Sequence, residues 1–240
     1  MDRVGPTERP EGDNAGTQKW RELLFVHWKV PVDAVREVVP KELELDLYEG
    51  EAYVGIVPFL MREIAPSWLP ERLGFDFLEC NLRTYVHLAG EGPGVYFFSL
   101  EASSWLAVQA ARTGWGLPYH HAEMTHRRKG DTAWFETRRH DDGAHLVARY
   151  RIGEELGASE PDTLEHFFLE RYLLYSFKGG QLMRGQVHHA PYPAQRAQVL
   201  EIGDSLIAAA GMPQVLGAPD LAHYAKGVDV EVFAPQPVSP

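Results

Sequence analysis

Three β-rich runs, His120 to Arg128, Asp131 to Arg139 and Ala144 to Ile152, follow one another with only two short connections between them. These are Arg128-Lys129-Gly130-Asp131 and Asp141-Asp142-Gly143. Glycine-containing links this short join antiparallel neighbours, because a parallel return needs a crossover of roughly a dozen residues. The middle of the chain is thereby committed to a meander. Further β-rich runs are Leu23 to Val30, Ala52 to Leu60, Phe75 to Leu88, Gln181 to His189 and Gly227 to Phe233. Val95 to Leu100 follows the turn Gly90 to Gly94 and is apolar on both faces, which predicts a strand buried on both sides.

Helices are predicted at four places. Pro31 to Val39 is stopped by Pro40, and Ser103 or Ser104 caps a helix running through Arg112 and ending before Gly114. Ser159 and Pro161 open a third, with Leu164, Phe167, Phe168, Arg171, Tyr172 and Tyr175 recurring at helical spacing, and Asp204 to Ala210 is a short fourth. The expectation is a mainly β chain (β-rich α+β) whose antiparallel strands close into a barrel or sandwich, with three or four short helices. Residues 1–19, rich in glycine, proline and acids, are expected to form a flexible or surface-lying arm, and residues 20–240 one domain.

Composition narrows the function. A net charge of −11 opposes tracking a phosphate backbone, so nucleic acid is not expected as a partner. Cys80 is the only cysteine, so neither an internal disulfide nor a redox pair can form. The N-terminal segment has no apolar run of the signal-peptide kind, and the longest mostly apolar stretch, Ala52 to Met61, is far short of a membrane span. A cytoplasmic protein with no membrane partner is the expectation.

The run Asp76 to Leu88 separates two faces by alternation. Leu78, Cys80, Leu82, Thr84, Val86 and Leu88 form an apolar face; Phe77, Glu79, Asn81, Arg83, Tyr85 and His87 form a polar and aromatic one. The second face reads either as a solvated surface with cross-strand ion pairs or as the interior of a barrel. Glu79 and Arg83 lie about 13 Å apart along such a strand, so they would sit at different depths of a pocket rather than pair. The segment Arg112-Thr-Gly-Trp-Gly-Leu-Pro-Tyr-His-His places Tyr119, His120 and His121 at the start of a strand, with His120 facing away from the other two. Neighbouring histidines on opposite faces chelate poorly, and no metal site is expected. There is no nucleophile elbow, P-loop or dinucleotide fingerprint, and no cofactor is expected. Cys80 falls on the apolar face and reads as an inert core thiol.

Several segments in order, HWKVP at His27, FLECNLRTYV at Phe77, GPGVYFFSLEASS at Gly92, LPYHHAEM at Leu117 and FFLERYLLYS at Phe167, resemble the YqjF-like family of the acetoacetate decarboxylase-like superfamily. The likeness to acetoacetate decarboxylase itself rests on Arg21-Glu22, on Glu79 in its strand, and on Arg112 followed by Pro118. In the decarboxylases that proline precedes a lysine pair whose first member forms a Schiff base with the substrate. Here Tyr119 and His120 occupy those positions, and neither a phenol nor an imidazole can form an imine with a ketone. The resemblance implies an antiparallel β-barrel of the acetoacetate decarboxylase-like type, with Arg21, Glu79 and Tyr119 inside. It implies a small carbonyl or carboxylate compound as ligand. Arg21 or Arg83 would hold a carboxylate, Tyr119 or His120 would donate to a carbonyl oxygen, and Glu79 would move a proton. Tyr85 and His121 would complete the lining. The function expected is cofactor-independent lyase- or isomerase-type chemistry, with a non-catalytic binding or sensing barrel as the alternative, in a chain that could form homo-oligomers as the superfamily often does.

Overall fold

The computed structural model describes residues 1–70, 73–214 and 217–239. Its strands are β1 (Gly16–Val30), β2 (Glu44–Leu45), β3 (Ala52–Pro66), β4 (Phe75–Leu88), β5 (Glu91–Ala102), β6 (Tyr119–Lys129), β7 (Thr132–Arg139), β8 (His145–Gly157), β9 (Leu173–Lys178), β10 (Gln181–His189), β11 (Ala194–Asp204) and β12 (Leu221–Pro237). The helices are α1 (Val32–Val38), α2 (Trp105–Trp115), α3 (Leu164–Leu169) and α4 (Leu206–Ala209). Among the described residues no helix is long and apolar enough to cross a membrane.

The fold is mainly β, and its pairings run in two rings that share five strands. One passes through β12, β1, β3, β4, β5, β9 and β10 and back to β12; the other leaves β5 for β6, β7, β8 and β11 before rejoining β12. The meander is β6 to β8, joined as the two turns predict. Two contacts are parallel, β5 with β6 and β5 with β9, so the barrel is not antiparallel throughout. Strands in both rings have two covered faces, which explains why β4 is buried on its polar face as well as its apolar one. Leu82 and Val86 join the large core with Phe135 and Tyr150, while Glu79, Asn81, Arg83 and Tyr85 are buried on the opposite side.

The third helix is shorter than its periodicity predicts. It stops at Leu169, and residues from Leu173 form β9, which pairs with both β5 and β10. Closing the ring supplies more hydrogen bonds and apolar contact than two further helical turns would, so tertiary pairing overrides local periodicity. Phe167 and Phe168 then plug one end of the first ring against Tyr53 and Tyr85. The N-terminal segment lies on the barrel: Arg3 pairs with Asp46, Arg9 with Glu231, and β1 begins at Gly16.

Helix α2 is capped by Ser104, whose Oγ accepts from Ala107 N at 3.3 Å, and runs through Gly114 to Trp115, past its expected end. It ends because Gly116 adopts a left-handed conformation with φ 66°. A Cβ there would lie 2.3 Å from the Phe177 carbonyl oxygen. Gly116→Ala is therefore expected to cost more than about 1 kcal/mol in urea unfolding, through both φ and the backbone clash. A loss of a few tenths would show that the turn can relax.

Candidate active site

Inside the first ring is a cavity of about 180 Å³. Its polar floor is one face of β4: Glu79, Asn81 and Arg83 lie two residues apart, and all three line it. Tyr119 faces them from the first residue of β6. Its position is set by the end of α2: Arg112 Nε donates to the Tyr119 carbonyl at 2.6 Å, and Leu100 N donates to Pro118 O at 3.0 Å. The Tyr119 hydroxyl donates to Glu79 Oε2 at 2.7 Å. The remaining wall is largely apolar and aromatic, with Trp20, Phe25, Phe59, Phe97 and Trp115 prominent.

Burial sets the electrostatics of this pair. Desolvation pushes the Glu79 carboxyl up to about 7, against the opposing pull of hydrogen bonds from Tyr119 and Asn81 and with a further push from the charge of Glu101. The Tyr119 phenol is raised well above its usual value by burial and by Glu79, so it remains a proton donor at neutral pH. Arg83 is different in kind. It is 8 % exposed, its Nη2 donates to Phe168 O at 3.0 Å, and its Nε has no partner. Among the described residues no carboxylate forms an ion pair with it. A buried guanidinium without a counter-ion is costly unless an anion completes it. Arg171, also on the wall, is by contrast neutralised by Asp46 at 2.7 Å.

The structure brings Glu79, Tyr119 and Arg83 into the cavity and leaves four other expected residues outside it. Arg21 donates to the carbonyls of Trp20 and Val228 and pairs with Asp229 on the barrel exterior. The cause is an irregularity in β1: Glu22 takes φ 55°, and the cavity-facing residues switch from Gln18 and Trp20 before it to Leu23 and Phe25 after it. His120 points to the opposite face from Tyr119, its Nδ1 2.7 Å from Asp141 Oδ2. His121 packs against His140 with the two rings tilted by 31°, because β6 pairs with β5 for only three residues before running on in the second ring. Tyr85 lies beyond the aromatic plug, its hydroxyl 2.6 Å from His27 Nε2.

Sequence reasoning passed over Asn81, although it shares the alternating face of Glu79 and Arg83 and could have been found there. Arg171, Tyr172 and Tyr192 carried no such signal, since only ring closure brings them to the wall. Among the described residues no lysine lines the cavity. Lys19 pairs with Glu63, and Lys178 donates to the Gly114 carbonyl.

The chain is similar in sequence to the uncharacterized protein YqjF of Bacillus subtilis (strain 168), 38% identical over 223 residues that cover 92% of this chain and 91% of that protein. Its fold is similar to acetoacetate decarboxylase from Legionella pneumophila, with a TM-score of 0.66 at 14% identity over 96% of this chain and 92% of that one. It is equally similar to the enduracididine biosynthesis enzyme MppR, solved in complex with pyruvate, with a TM-score of 0.65 at 13% identity over 97% and 93% of the two chains. At these identities the structural likeness establishes the fold alone. The model of the uncharacterized conserved protein family DUF2071 matches residues 17–229, and with the extended likeness to YqjF this places the chain in that family, built on the acetoacetate decarboxylase-like fold.

Proposed function

We propose that this protein is an enzyme that moves a proton on a small carbonyl compound bearing a carboxylate, without an imine intermediate and without a cofactor. One observation carries the reading: a cavity holds a carboxyl poised near neutrality by burial, hydrogen-bonded to a phenol, and on the same strand face a buried arginine with no counter-ion among the described residues. Arg83 receives the ligand carboxylate through charge-assisted hydrogen bonds. The ionised Glu79 removes a proton from the carbon beside the carbonyl, and the C–H electron pair moves into the carbonyl to give an enolate. The Tyr119 hydroxyl donates to the enolate oxygen, and Glu79 returns the proton to the same carbon as the carbonyl re-forms. No oxidant or reductant enters. Pyruvate bound to MppR supports a 2-oxo acid as the ligand class to try first.

The test is loss of the pyruvate methyl proton signal in D2O, followed by NMR, together with thermal stabilisation by the same acid. Wild type is expected to exchange these protons, and Arg83→Met to need at least tenfold more pyruvate for the same stabilisation, since a charged hydrogen bond is worth about 1.5–3 kcal/mol. Binding without exchange would favour the non-catalytic barrel, and neither binding nor exchange across short 2-oxo acids would overturn the assignment.

A further inference from the structure

A second cavity, of about 270 Å³, adjoins the first beneath α2 and shares Gln18, Met61, Ala111, Trp115, Tyr119 and Val232 with it. Ala107, Ala110 and Gly114 of α2 form one side, and Ile64, Phe75 and Phe77 another; Phe75, at 44 % exposure, sits at the rim. The polarity of the combined space is ordered along β4. Successive residues of one alternating face are Phe75 and Phe77 in the outer chamber, then Glu79, Asn81 and Arg83 in the inner one. An apolar entrance thus leads past the proton-moving pair to a buried cation.

Resting on the function proposed above, we infer that the natural ligand is an amphipathic oxo acid that enters carboxylate first, its alkyl or aryl tail filling the chamber under α2. A three-carbon acid occupies only the inner chamber and leaves the outer one to water, against walls that offer water few hydrogen bonds. A tail exchanges that water for contact with Phe75, Phe77 and the methyl groups of α2, at about 0.8 kcal/mol per buried methylene. The small side chains of α2 leave the room: a Cβ added at Gly114 meets nothing within 4 Å.

The experiment is a calorimetric titration of straight-chain 2-oxo acids from pyruvate to 2-oxooctanoate. Wild type is expected to bind about fourfold tighter per added methylene until the chamber is full. Ala110→Trp and Gly114→Leu, each placing bulk into the outer chamber from α2, should flatten that gradient, and a thermal melt checks that each variant is folded. Arg83→Met should weaken every member by a similar factor, as expected for a shared carboxylate contact. If pyruvate binds but affinity is independent of chain length, or if the gradient survives in both folded α2 variants, the inference is overturned while the inner site stands. If neither short nor long acids bind, the function proposed above fails, and this inference with it.

Discussion

At pH 8 the Glu79→Gln variant is expected to be more stable than wild type by about 3 kcal/mol, while proton exchange on the substrate falls by roughly 10²- to 10⁴-fold. Glu79 titrates near 7 in the folded protein against the ordinary 4.5 of a glutamate, because burial disfavours its charge. Between those values the folded state keeps a proton that the unfolded chain has released. Stability therefore falls as pH rises from about 4.5 to about 7, and the deficit is complete above that. At about 1.36 kcal/mol per pH unit, the gap amounts to about 3 kcal/mol. Glutamine keeps the shape and still accepts from the Tyr119 hydroxyl, so it removes the charge without opening a hole. Urea midpoints of the two proteins should coincide near pH 4 and separate progressively towards pH 8. Exchange activity should rise through about pH 7 in wild type, since the base is the ionised form. Coincident stability curves throughout would mean that Glu79 is hydrated and ordinary, and the proposed base would lose its physical footing.

Asp46→Ala is expected to cost about 3–5 kcal/mol, the usual penalty for leaving a buried charge without its partner. Asp46 is 4 % exposed; it accepts from Arg171 Nη1 at 2.7 Å and also pairs with Arg3 of the N-terminal segment. Arg171 is fixed further by donating to the Phe167 carbonyl, and its Nη2 has no partner. Without Asp46 its guanidinium would remain among Phe167, Tyr85 and the cavity wall with its charge unanswered. The double variant Asp46→Ala/Arg171→Met should recover most of the loss, because apolar replacement of both partners is often close to neutral. Urea unfolding of the two single variants and the double gives the coupling directly. A loss below about 1 kcal/mol for Asp46→Ala would show that water reaches Arg171 and that this end of the barrel is open.

Three of the expected cavity positions were legible before folding, for a local reason. Alternation along residues 76–88 puts Glu79 and Arg83 on one face and forbids their direct pairing, whichever sheet the strand joins. The glycine turn before Tyr119 likewise fixes that residue at a strand start. Arg21 shows where local reasoning stops. Nothing in Lys-Trp-Arg-Glu-Leu announces that Glu22 will take a positive φ, a conformation glutamate rarely adopts. One such residue moved Arg21 from inside to outside. Alternation puts His120 on the face opposite Tyr119, while the resemblance to a decarboxylase implies a site role for both; only Tyr119 reaches the cavity, and His120 meets Asp141 instead.

The amino-acid order by itself determined the meander, its turns, the two-faced character of β4 and the absence of an amine beside Pro118, since each depends on residues within a few positions of one another. Only the tertiary structure decided which buried face of β4 lines the cavity and which joins the large apolar core. It also decided that residues beyond α3 would become a strand rather than more helix. Those outcomes rest on pairings such as Gly16 with Val232, more than two hundred residues apart, and on how two rings share their strands. Such contacts depend on the mutual fit of distant segments, and that fit leaves no periodic trace in either segment alone.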